Sequence, residues 1–224
     1  MLMSKFFPHR LIPLGFVTEV LYPPREIPHA QLLELFNRLS GPHRFLNLKL
    51  LPEGRGATFA GEQGNRCEIL RDKTVIREDA SIVSFENYCE TSLAILREIA
   101  GKIAPPVFVG QLNAIRMLYP LSSEQAANQF LIRSFLKLPE GLAQELGRPL
   151  AGIGLRLVFP PLQQMPNEYQ LRIEPFFRDQ TQIFVENAGR FFPPFKELEE
   201  ARGRLQATYD FLKSSLAALF GDGS

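Results

Sequence analysis

From Gly15 to Tyr22 two kinds of side chain alternate, with Val17, Glu19 and Leu21 on one side and Phe16, Thr18, Val20 and Tyr22 on the other. A period of two predicts a strand. After Pro23-Pro24, the residues Leu32, Leu35, Phe36 and Leu39 recur at helical spacing, and Ser40-Gly41-Pro42 reads as the stop. Extended pieces follow at Phe45 to Leu51, Ala57 to Ala60, Cys67 to Arg71, Thr74 to Arg77 and Ser81 to Glu86, which together read as an antiparallel meander. From Tyr88 to Ile103, Leu93, Leu96, Ile99, Ala100 and Ile103 mark one face of a second helix, with Asn87 as its N-cap and Glu90 placed to answer it.

The pattern then restarts. A strand is expected from Val107 to Tyr119, followed by Ser122 and Gln125 at capping-box spacing and a helix carrying Ala127, Phe130, Leu131 and Phe135. Strands are expected near Ile153 to Phe159, Glu168 to Phe177 and Thr181 to Glu186. A long helix from about Phe195 to Phe220 carries the stripe Leu198, Ala201, Leu205, Thr208, Leu212, Ser215, Leu216 and Leu219. Leu21-Tyr22-Pro23 recurs as Leu118-Tyr119-Pro120, and Phe85-Glu86-Asn87 as Val185-Glu186-Asn187. Internal repetition is the economical reading.

The fold class expected is therefore α+β, a single domain over residues 1–224 with two similar β-α-β(n)-α halves, 15–103 and 107–220. Helices would cover one face of the antiparallel strands, and the long C-terminal helix would close the chain. One continuous sheet with pseudo-twofold symmetry and two separate sheets packed through their helices both satisfy the pattern.

Composition narrows the function classes. With 224 residues, 45% hydrophobic and 22% charged, the chain can bury an independent core. Lys+Arg 25 against Asp+Glu 24 leaves no whole-molecule field to attract nucleic acid or anionic lipid. Two cysteines without a CxxC spacing fit a reducing compartment, and neither a signal sequence nor a membrane span is read from the sequence, so a cytoplasmic protein is expected. The prolines, 18 in all, fall mostly between periodic segments and punctuate the fold.

The strand ending Val17-Thr18-Glu19-Val20, the mid-chain strand Gly110-Gln111-Leu112-Asn113-Ala114-Ile115-Arg116 and the strand-rich approach to a long last helix resemble an uncharacterised, sporadically distributed bacterial family. Its mid-chain strand carries a glycine-leucine-arginine-tyrosine run followed by asparagine and arginine. Here only Gly110, Asn113 and Arg116 resemble that pattern, and the glycine-leucine-arginine-tyrosine run itself is not reproduced. The resemblance implies a two-half α+β architecture and an accessory, defence-associated role, and it carries over no catalytic residue.

Candidate chemistry is sparse. His9, His29 and His43 lie in or beside proline-rich connections without carboxylates at metal-motif spacing, so no metal or cofactor is expected. No GxSxG elbow exists, and Gly152-Ile153-Gly154 leads into a strand and not a phosphate-binding helix. Glu86 and Glu186, at repeated positions, would make a carboxylate pair if symmetry brought them to one surface. Arg116, Arg156, Arg172 and Arg178 would make a basic surface if they shared the uncovered face of the sheet.

These signals favour a non-enzymatic binding or assembly protein, with a protein partner or a homo-oligomer on the sheet face opposite the helices. Single-stranded nucleic acid held by those arginines and by Phe176 or Phe177 is an alternative. So are an apolar ligand carried between the sheet and the last helix, and an enzyme using acidic residues that the sequence does not locate.

Overall fold

The computed structural model describes residues 7–79, 83–121, 126–135, 145–148 and 152–221. Nine strands form one antiparallel sheet: β1 (Ile12–Leu21), β2 (Asn47–Leu50), β3 (Gly56–Ala60), β4 (Arg66–Leu70), β5 (Lys73–Glu78), β6 (Gly110–Pro120), β7 (Leu155–Phe159), β8 (Asn167–Pro175) and β9 (Gln182–Phe191). Among the described residues four helices accompany them: α1 (His29–His43), α2 (Phe85–Ile103), α3 (Ala127–Phe135) and α4 (Leu198–Phe220). The protein is α+β with a long C-terminal helix, and a single sheet replaces the two-sheet alternative.

Across the sheet the order is β2-β3-β4-β5-β1-β6-β9-β8-β7. β1 and β6 thus meet at the centre. Outward from β1 come β5, β4 and β3, and outward from β6 come β9, β8 and β7.

Strand alternation decides what faces the helices. Phe16 and Val20 of β1, Phe59 of β3, Ile69 of β4, Ile115 of β6, Ile173 of β8 and Val185 of β9 are fully buried on that side. The helices answer with Leu32, Leu35 and Leu39 of α1, Ile95 and Leu96 of α2, Leu131 of α3 and Leu212 and Leu216 of α4. Aromatic contacts join the layers: Phe85 of α2 stacks on Tyr209 of α4 at 4.0 Å, and Tyr169 of β8 on Phe211 of α4, also at 4.0 Å. Phe220 closes the end of α4 among Tyr119, Phe130 and Phe135.

Several boundaries differ from expectation. α1 runs through Ser40-Gly41-Pro42 and ends where Arg44 takes a left-handed conformation, φ 54°; the proline sits within the last turn. Of the strand expected over Ser81 to Glu86, Phe85 and Glu86 instead open α2, whose N-cap is Ser84 with a hydroxyl that accepts the Asn87 N–H at 3.2 Å, and Ser81 and Ile82 lie outside the described residues. A serine oxygen reaching the third helical N–H is the ordinary capping geometry, so Asn87 lies inside the first turn. β9 continues to Phe191 and does not stop at Glu186. The Ser122–Gln125 capping box lies outside the described residues.

Candidate recognition surface

The face opposite the helices carries most of the charged residues of the strands. Register aligns Arg116 of β6, Glu186 of β9, Arg172 of β8 and Arg156 of β7 in one cross-strand row. Three of the four predicted arginines therefore share the uncovered face. Arg178 does not: it is exposed in the turn between β8 and β9, as is Phe177.

Beside that row runs an apolar one. Val17 of β1, Ala114 of β6 and Ala188 of β9 stand in register, flanked by Arg77 and Arg66 on one side and by Gln170 and Val158 on the other. A third row places Glu68, Val75, Glu19, Leu112, Arg190 and Glu168 on β4, β5, β1, β6, β9 and β8.

Neighbouring charges neutralise much of this surface. The Arg116 Nε donates to Glu186 at 2.6 Å, and its guanidinium also approaches Asp79 at 3.8 Å. Arg172 grips Glu174 with two hydrogen bonds, at 3.0 and 2.7 Å, while its guanidinium lies over the Phe184 ring. Arg190 pairs with Glu168, Lys73 with Glu19 and Arg66 with Glu68. Among the described residues Arg77 and Arg156 have no ion pair. Arg116–Glu186, Arg190–Glu168 and Lys73–Glu19 join neighbouring strands and support their register at about 0.2–1 kcal/mol per pair, whereas Arg66–Glu68 and Arg172–Glu174 lie along single strands.

The proposed carboxylate pair does not assemble. Glu186 points from the middle of β9 onto the open face, whereas Glu86 is exposed in the first turn of α2, on the helical side. Asn187 is equally far from a cap. It is buried mid-strand, and its Nδ2 donates to the Thr208 carbonyl of α4 at 2.7 Å. Helix and strand neighbours of identical sequence thus occupy unrelated places.

Thr208 is the hub of a buried polar cluster between the sheet and α4. Its hydroxyl donates to the Arg204 carbonyl at 2.8 Å and accepts from Asn113 Nδ2 at 3.4 Å. Gln111 Nε2 donates to Asn113 Oδ1 and to the Ala201 carbonyl, each at 3.0 Å. Gly189 permits this approach, because a Cβ there would lie 2.6 Å from the Thr208 hydroxyl oxygen. The stretch Gly110 to Arg116 is consequently divided: Asn113 holds the helix, and Arg116 faces outward.

Cavities offer little for chemistry. The void between α2 and α4, beside Thr18, Cys89, Ser92 and Leu205, measures about 10 Å³, room for one water. A cleft of about 460 Å³ separates the end of α1 from β4, β5 and the start of α2, with His43, Arg44, Arg77, Glu78 and Glu90 on its walls. Burial holds the His43 imidazole below its ordinary pKa against the opposing pull of Glu98. Both thiols are buried and pushed upward, Cys89 to about 12, so neither is an activated nucleophile. Among the described residues no three His, Cys, Asp or Glu gather as metal ligands, and no helix is long and apolar enough to cross a membrane.

Arg77, Arg190 and Glu19 were not singled out by sequence as surface residues. Alternation assigns each to the polar side of its strand, but only the strand order shows that these sides form one surface. No protein-family model matches the chain, and comparison with curated proteins returns no match.

Proposed function

We propose that this chain is a non-enzymatic binding protein that docks a protein partner on the open face of its sheet. The observation that carries the reading is the layout of that face, where the apolar row Val17, Ala114 and Ala188 runs between charged rows. Interfaces are built in this way, with an apolar centre and a polar rim. The partner fits by charge. Arg77 and Arg156 lack ion pairs, so a protein with carboxylates opposite them and small apolar side chains over the central row complements the surface.

Nucleic acid fits less well. Glu19, Glu68, Glu168, Glu174 and Glu186 are interleaved with the cations, and a phosphate backbone would have to displace Glu186 from Arg116 and Glu174 from Arg172. Phe177 lies in a turn, away from the face where bases would stack.

Site-specific photocrosslinking in the cells that make the protein tests the reading. A photoreactive residue at Ala114 or Ala188 should yield one dominant protein adduct, identified by mass spectrometry, and the same group at exposed Glu90 of α2 should not. Arg77→Glu with Arg156→Glu should abolish the adduct while leaving the melting temperature within a few degrees. A nucleic-acid adduct, equal labelling from Glu90, or an adduct indifferent to charge reversal overturns the proposal.

A further inference from the structure

β7 forms one edge of the sheet, and its second side pairs with no described strand. The opposite edge, β2, is four residues long with Lys49 pointing outward and Pro52 close behind, the usual means of blunting an edge. β7 also carries a charge, Arg156, and Pro160-Pro161 follow it, yet four of its five residues are apolar against two of four in β2. β7 reads Leu155-Arg156-Leu157-Val158-Phe159, with Val158 56% exposed.

Around it collect further exposed apolar side chains that the fold does not use. Leu162 and Met165, at the tip of the β7–β8 hairpin, are more than half exposed, and Phe177, whose ring lies against Gly152, is 74% exposed. Apolar groups gathered at one edge mark an association surface.

We propose that two copies of this chain pair through β7, antiparallel, about a twofold axis at Leu157. Unpaired backbone N–H and C=O groups specify another strand as the occupant. The sequence of β7 makes a second copy suitable. In this register Leu157 meets itself and Leu155 meets Phe159, all on the helix-covered side. On the open side Arg156 meets Val158, so no like charges are directly opposed. Pro160-Pro161 end the backbone pairing at Phe159, and beyond them the same spacing brings Leu162 of one copy towards Gly152 of the other, where the Phe177 ring lies. The exposed tip and the exposed phenylalanine then cover each other, twice per dimer, as an isologous interface requires. Both open faces remain free, so the dimer is independent of the partner proposed above.

Sedimentation of the full chain over a range of concentration tests the pairing. The protein should associate to a dimer. Val158→Lys, at an exposed position, places a lysine opposite Arg156 of the second copy and should weaken the dimer about tenfold through two such pairs. Combining it with Arg156→Glu should restore association, because the pair becomes Lys opposite Glu. A chain that stays monomeric to its solubility limit, a dimer indifferent to Val158→Lys, or failure of the double variant to recover overturns the inference. A parent chain that stays monomeric but still forms the Ala114 adduct would reject this pairing alone.

Discussion

Val17 stands directly opposite Ala114 in the pairing of β1 with β6. The two positions are 97 residues apart, the same separation that relates Leu21-Tyr22-Pro23 to Leu118-Tyr119-Pro120. If the halves are copies of one another, the axis that exchanges the two tripeptides passes through this pair.

If the halves arose by copying, a crystal structure will superpose 15–103 on 107–220 with Leu21 on Leu118 at the strand ends. The registers carry the match outward, setting Cys67 and Ile69 of β4 on Leu171 and Ile173 of β8, four buried residues. A superposition that places Leu21 anywhere but on Leu118 would reject common ancestry. Phe85-Glu86-Asn87 and Val185-Glu186-Asn187 will not coincide, since one is helical and the other lies within a strand.

Ala114 and its neighbour Ile115 should behave oppositely. Ile115 is fully buried beneath the helices, so Ile115→Ala should cost about 2–5 kcal/mol in urea denaturation. Ala114 faces the open side, and Ala114→Ser should stay within about 0.5 kcal/mol. Equal effects would contradict the assignment of faces.

The Thr208 cluster predicts coupling between sheet and helix. Thr208→Val removes the acceptor of Asn113 in a buried setting and should destabilise by about 1–3 kcal/mol. Gly189→Ala should destabilise by a similar amount, about 1–3 kcal/mol, through overpacking against Thr208. In the Gly189→Ala, Thr208→Ala double variant the clash with Thr208 disappears and only the Phe191 ring, 3.1 Å from the new Cβ, still crowds it, so the costs of the two single alanine variants should not add. A double-mutant cycle with no interaction energy would show that the contact is slack.

His43 should make stability depend on pH. Its folded-state pKa is lowered by burial, so the unfolded chain takes up the proton first as pH falls. The contribution is therefore constant well above the ordinary histidine value of about 6.5 and declines as pH drops through it, levelling below the folded-state value. His43→Gln should flatten the urea midpoint between about pH 7 and 5 relative to the parent chain. A variant that follows the parent curve would remove His43 as the cause.

The buried thiols should be silent in the native protein. With Cys89 pushed to about 12 and Cys67 higher still, a disulfide exchange reagent at neutral pH should react only as the chain unfolds. Rapid labelling of either cysteine in the absence of denaturant would show local opening of β4 or α2.

Much of this fold was legible in the order of residues because alternation and helical spacing are local properties. Val17-Thr18-Glu19-Val20 could only half-bury as a strand, and the stripe from Ala201 to Leu216 could only bury as a helix. Local pattern failed where a polar residue faced inward: Asn187 and Gly189 look like a strand end, yet they are buried because Thr208, distant in sequence, satisfies one and fills the space beside the other. It failed again at Glu86, since a cap at Ser84 and a turn of helix look much like the end of a strand when read in isolation.

What the chain determined by itself is the set of elements and the two-sided character of each strand, through side-chain chemistry within a few residues. Which of those polar sides lie together was decided only by strand order. Arg116, Glu186, Arg172 and Arg156 come from four strands spread over more than fifty residues, and hydrogen-bonded register alone brings them into one row. The physical reason is that backbone pairing, unlike periodicity, is a relation between distant segments, and no single segment carries it.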